Sequence, residues 1–176
     1  NLNIKINESK IFVSFDPAIE CAWRYKNEFL KDIKFDSNLI AVNFRKFPSE
    51  YTNNTKNKNN REKKIIDFLM EIATKNKEKT ILLVPMHYFS IGNDDRYYLN
   101  DLKQNYFALF NNIKVQNRPL TLVETMNTFA KARMAVGMRF HSVILETVLN
   151  GKNYILDYTE PEKGKIAGFL ADCDDE

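Results

Sequence analysis

Cysteine is scarce: the 176 residues hold two, Cys21 and Cys173, near opposite ends and without a Cys-x-x-Cys pair. Their spacing excludes a disulfide framework and a four-ligand zinc site, and makes a reduced, cytoplasmic setting the expectation. Long apolar runs are missing too. Lys or Arg interrupts each run well short of the roughly 18 residues a bilayer requires, and mean hydropathy is −0.45, so no transmembrane segment is expected. The opening Asn1-Leu-Asn-Ile-Lys-Ile6 has neither the long apolar stretch and cleavage site of a signal peptide nor a starting Met. Together with the abrupt acidic end, Asp172-Cys-Asp-Asp-Glu176, it reads as a domain cut from a longer protein. Charge of one sign is lacking as well: 26 basic against 23 acidic residues leave +3. No basic helix stripe with interleaved aromatics accompanies it, so nucleic acid is not an expected partner.

What is present is an ordinary globular composition, 44% hydrophobic and 28% charged. A chain of this length hides roughly 70% of its unfolded surface, enough for one core, and no internal repeat or second boundary interrupts residues 1–176. Ile- and Val-rich runs alternate with stretches of helical spacing, the pattern of a parallel α/β sheet covered on both faces. The runs read as strands are Ile11–Phe15, Leu39–Phe44, Thr80–Val84, Ile113–Val115, Met134–Gly137 and Tyr154–Asp157. Ile65, Leu69, Ile72 and Ala73 mark one helix, and Leu99, Leu102 and Phe107 another. Thr121 and Glu124 form a capping box for a helix over Leu122–Ala132; Gly151 closes the helix that starts near Phe140; a last helix starts at Gly164–Leu170. Pro48–Asn60, rich in Asn, Lys and Thr without periodicity, reads as a mobile loop, and Asp16-Pro17 as a strand-terminating turn.

The segment Ala135-Val-Gly-Met-Arg-Phe-His-Ser-Val-Ile-Leu-Glu146 puts Gly137, Arg139 and His141 between a strand and a helix start. Free amides and the helix dipole favour an anion there, Gly137 permits close backbone approach, and Arg139 offers a bidentate grip. The plainer alternative is an ion-paired Arg at a strand end and a His that caps the helix. His87, just after another strand, is either a second site residue or a hydrogen-bonded wall residue. Asn93-Asp94-Asp95 is a cation or hydroxyl ligand set or, as we favour, a helix cap with first-turn acids. Trp23, Tyr25, Tyr97 and Tyr98 are aromatic candidates for a sugar ring, with a core or surface role the simpler reading.

Gly137-Met-Arg-Phe-His141, with the following helix, Gly151, a strand, Tyr158, Lys165 and Phe169, resembles the signature of the polysaccharide pyruvyl transferase family. Phe15-Asp-Pro-Ala18 is similar to that family's Gly-Asp-Pro-Ala stretch, Val42-Asn-Phe-Arg45 to its strand ending in Arg, and Val84-Pro85-Met86 with Asp94-Asp95 to its third strand and loop. Phe15 replaces the family's Gly and Phe140 its Leu. The resemblance implies a Rossmann-like domain like the C-terminal half of GT-B enzymes, working with an N-terminal half. It also implies transfer of the enolpyruvyl unit of phosphoenolpyruvate to two hydroxyls of a saccharide, free or lipid-linked, giving a pyruvate ketal in cell-surface polysaccharide synthesis. Phosphoenolpyruvate is then the donor substrate, with no separate cofactor and no metal expected. By resemblance His141 is the general acid, Arg45 and Arg139 clamp the donor, Gly137, Met138 and Phe140 surround it, and Lys165 stands near the acceptor. His87, Asp95 and Tyr158 are further site candidates. A helix N-terminus disfavours imidazolium, so a bound dianion is expected to arm His141. The isolated chain is expected to turn over little. The competing readings are a GT-B domain for a nucleotide sugar, with Glu146 or Asp157 as the ribose acid, and a non-catalytic phospho-ligand module.

Overall fold

The computed structural model describes residues 14–31, 33–47, 55–158 and 164–174, with backbone only for 55–59 and 174. In chain order these form α1 (Pro17–Phe29), β1 (Asp36–Val42), α2 (Thr55–Lys75), β2 (Thr80–Leu83), α3 (Asp95–Tyr106), β3 (Ile113–Val115), α4 (Leu122–Lys131), β4 (Ala132–Gly137), α5 (Phe140–Leu149), β5 (Asn153–Ile155) and α6 (Lys165–Asp174). All four strand pairings are parallel and the order is β3-β2-β1-β4-β5. The chain is thus an α/β protein with a Rossmann-like sheet.

Strand alternation sorts the core into two layers. Ile40 and Val42, Ile81 and Leu83, and Val136 turn to the face that α2 covers with Ile65, Leu69, Ile72 and Ala73 and α3 with Leu99 and Leu102. Ala41, Val84 and Ala135 turn the other way, to Ala22 of α1, Met126 and Phe129 of α4, and Leu145 and Leu149 of α5. Burial on both faces is why the strands lack polar alternation. Order reverses between β1 and β4, where Val42 pairs with Val136, so the crevice beyond their carboxyl ends is the place for a ligand.

Five of the expected strands occur, with shifted ends: β1 starts three residues before Leu39 and β5 stops at Ile155. Of Ile11–Phe15, Ile11–Val13 lie outside the described residues, and Ser14 and Phe15 belong to no strand. Asp16-Pro17 is a helix start rather than a strand-ending turn: Asp16 caps α1, its Oδ1 accepting from the Ala18 amide at 2.9 Å, and Pro17 takes the first helical position. The expected loop Pro48–Asn60 is helical from Thr55, and residues 48–54 lie outside the described ones. Extending a helix costs far less than nucleating one, so α2, anchored at Ile65–Ala73, continues through polar residues without periodicity.

Gly151 has φ 72°, the left-handed turn expected after α5. The α4 capping box is also formed: the Glu124 amide donates to Thr121 Oγ1 at 3.2 Å, and the Thr121 amide to Glu124 Oε2 at 2.8 Å. A hydrogen bond from Arg118, then those from Thr121, hold the Glu124 carboxyl down to about 2. Thr121→Ala should cost about 1 kcal/mol in urea unfolding. Because the folded carboxyl is depressed, its contribution is present above its ordinary value of 4.5 and fades as pH falls toward about 2. Glu124→Gln should therefore reduce the acid sensitivity of unfolding in that window.

Candidate functional site

A polar residue inside an apolar run organises the crevice. Asn43 follows β1 and is fully buried, so its amide must find partners. Its backbone amide donates to Val136 O at 2.7 Å and its Nδ2 to Val84 O at 2.8 Å. Oδ1 accepts from the Arg139 amide at 3.0 Å and from Ser142 Oγ at 2.9 Å. One side chain therefore joins the ends of β1, β2 and β4 and fixes where α5 begins. Sequence reading passed over it, although a lone amide between Val42 and Phe44 was a usable signal.

Arg139 occupies the N-cap position of α5, and no side chain caps that helix. Its guanidinium is bidentate on Asp95: Nε to Oδ2 at 2.7 Å and Nη2 to Oδ1 at 2.6 Å. The Asp95 side chain is 1% exposed and also accepts from the Met86 and His87 amides, both at 3.1 Å. Two of the three Arg139 nitrogens are thus committed, and the pair staples the β2–α3 loop to the β4–α5 turn. Asp94 caps α3, as the sequence suggested, accepting from the Arg96 amide at 2.9 Å. Its carboxyl is held low, chiefly by the Arg96 side chain. His87 Nε2 lies 2.7 Å from Ile91 O, folding the loop so that Gly92 takes φ 88° and Asn93 φ 66°.

Two depressions flank the β4–α5 turn. The first, about 270 Å³, is lined by Arg45, Lys46, Asp95, Tyr98, Asp101 and Arg139 among others. Arg45 and Arg139, 94 positions apart, both line it; the Arg45 guanidinium lies 4.8 Å from the centre of the Tyr158 ring. The second, about 440 Å³, lies between Phe15, Asp16 and Ile19 at the start of α1, Phe140 of α5, and Lys165 and Phe169 of α6. His141 stands beside it, its side chain 64% exposed and Nε2 3.6 Å from Asp16 Oδ2. His141 and Lys165 therefore gather on one side of the turn and Arg45 and Arg139 on the other. Met138 is a core residue, its Sδ 3.5 Å from the Arg45 amide, and its side chain lines neither depression.

Gly137 serves the interior. A Cβ there would meet Glu146 Oε2 at 2.5 Å, so α5 uses the missing side chain to pack its carboxyl against β4. Glu146 is fully buried and both its oxygens lack a partner among the described residues, which removes it as a ribose acid for a nucleotide sugar. Burial pushes the carboxyl well above its ordinary value.

These elements define a class: a Rossmann-like domain that presents a strand-to-helix turn, an uncapped helix N-terminus and an accessible imidazole at the switch point of its sheet. The family model for polysaccharide pyruvyl transferase matches residues 1–158, and the chain belongs to that family of transferases. No curated protein and no solved structure matches the chain. No helix among the described residues is long and apolar enough to cross a membrane.

Asp95→Ala and Arg139→Ala should each cost about 3–5 kcal/mol in urea unfolding, with the double variant well short of their sum, because each single change strands a buried charge. Glu146 acts in the opposite pH direction to Glu124. Its folded value is raised, so stability is complete below about 4.5 and falls as pH rises, by up to about 1.4 kcal/mol per unit, while the folded carboxyl keeps the proton that the unfolded one releases. Glu146→Gln should flatten that fall above about pH 4.5.

Proposed function

We propose that this chain binds phosphoenolpyruvate in front of α5 and, with an N-terminal half of the same protein, transfers its pyruvyl unit to a saccharide as a ketal. The observation that carries this reading is the uncapped start of α5 with an exposed His141 on its first turn. First-turn amides there suit an oxyanion, and an imidazole at the same point suits proton delivery to the donor's methylene carbon. Arg45 contacts the donor from the first depression, and Lys165 stands toward the acceptor in the second. Arg139 contributes through position, with Asp95 holding its guanidinium.

The chemistry divides into three tasks. Phosphate and carboxylate are met by helix amides and Arg45, the methylene carbon is protonated by His141, and the resulting oxocarbenium is captured by a sugar hydroxyl before water reaches it. The last task depends on holding both reactants, an effect that reaches roughly 7–11 kcal/mol, so the chain without its other half should turn over little.

Calorimetric titration with phosphoenolpyruvate tests the donor assignment. Arg45→Ala should weaken binding about tenfold or more, the loss of a charge-assisted hydrogen bond. His141→Ala should leave donor affinity nearly intact and abolish ketal formation by the full-length enzyme. Tighter binding of uridine diphosphate than of phosphoenolpyruvate would overturn the assignment in favour of a nucleotide-sugar enzyme.

A further inference from the structure

The carboxylate of Asp16 is used twice. Oδ1 caps α1 through the Ala18 amide at 2.9 Å, which fixes the side chain, and Oδ2 lies 3.6 Å from Nε2 of His141. These residues are 125 positions apart and meet because α1 packs along α5 in the second sheet layer. At 3.6 Å the contact is an ion pair rather than a hydrogen bond, and it acts when the imidazole is charged. The helix N-terminus beneath His141 pushes the other way, disfavouring imidazolium.

We infer that Asp16 is a positioning residue for His141: it supplies a counter-charge to the imidazolium in front of α5 and directs Nε2 away from the donor. The inference rests on the reading of His141 as the acid. With Nε2 turned to Asp16, the nitrogen that delivers the proton is Nδ1. The Nδ1–H bond breaks and a new C–H bond forms at the donor's methylene carbon from the electrons of its double bond. The adjacent carbon becomes the oxocarbenium and His141 is left neutral with its remaining proton on Nε2, facing Asp16; a first sugar hydroxyl adds to that carbon and returns its proton to Nδ1, and a second displaces phosphate, which leaves with the electrons of its C–O bond and takes up that hydroxyl's proton. The other charged groups on this depression, Lys165 and Asp172 of α6, are of opposite sign, and the Arg139 guanidinium is held by Asp95.

Both partners touch solvent, with side chains 64% and 30% exposed, so the effect is that of a partly screened pair, about two- to fivefold. Asp16→Asn isolates it, because Asn is as good an N-cap as Asp but carries no charge. Diethyl pyrocarbonate attacks only neutral imidazole, and His87, the chain's other histidine, is an internal reference. At pH 6.5, the rate of His141 modification relative to His87, read by peptide mass spectrometry, should rise about two- to fivefold in Asp16→Asn with the urea midpoint unchanged. Asp16→Ser, which also caps without a carboxylate, should behave alike. An unchanged or lower ratio in both variants overturns the inference, whatever the activity. In the full-length enzyme Asp16→Asn should lower kcat about two- to fivefold near pH 7.5, leave KM for phosphoenolpyruvate unaltered, and recover as pH falls; a loss equal at every pH would also overturn it. If the modification ratio shifts while the wild type forms no ketal, the pairing stands and the assigned reaction fails.

Discussion

The site depends on how four buried hydrogen bonds converge on Asn43. Parallel strands end without turns to hold them together, and at a switch point their following segments diverge to opposite faces. A backbone amide suffices for Val136 O, but the carbonyl of Val84 would lose its side-chain donor if no polar residue joined those ends. Asn43 meets both and still offers an oxygen to the first amide of α5 and to Ser142. An amide is the side chain that both donates and accepts in one plane; a carboxylate would have nothing to give Val84 O, and an aliphatic residue would keep only the backbone bond to Val136 O and deprive Val84 O and the Arg139 amide of this partner. Everything downstream, including where α5 starts and where His141 emerges, inherits its position from this residue.

The Arg139–Asp95 pair works on the same turn from outside the sheet. Taken alone, an arginine between a strand and a helix N-terminus reads as an anion grip. The structure gives the guanidinium a buried carboxylate that is itself held by two loop amides, so its larger task is to lock the β2–α3 loop to the β4–α5 turn. Arginine suits this task better than lysine, since its planar fork satisfies both carboxylate oxygens at once. The plainer sequence alternative, an ion-paired strand-end arginine, thus describes much of what Arg139 does.

The sheet was legible because strands buried on both faces leave unbroken apolar runs, and the α4 cap and Gly151 because their chemistry is local. What escaped was either ambiguous or distant. Asp-Pro opens a helix as readily as it ends a strand, and only the spacing of Ile19, Ala22 and Tyr25 beyond it tells the two apart. The first turns of α2 carry no apolar signal, since helicity there spreads from Ile65–Ala73. Asp95 meets Arg139 across 44 positions and Asp16 meets His141 across 125, distances at which no spacing rule operates. The sequence set Gly137–His141 between a strand and a helix start, as the structure has it, yet did not foretell which of these residues face inward: Gly137 makes room for Glu146, and Met138 joins the core.

Charge bears on how the proposed donor would be held. In the first depression three cations, Arg45, Lys46 and Arg139, face three carboxylates, Asp94, Asp95 and Asp101. In the second, Lys165 faces Asp16 and Asp172. Counted over the lining residues alone, formal charge would give phosphoenolpyruvate no net attraction at either place, so what an anion meets depends on which of these groups are already paired. Asp94 and Asp95 answer to Arg96 and Arg139, which leaves Arg45 and Lys46 against Asp101 as the balance that an incoming anion meets. On the proposed function, such a surface would position a donor more than capture one. If an opposing half carried the further cations, the full field would exist only when the cleft closed around donor and acceptor together, and His141 would meet the donor only after water had been displaced.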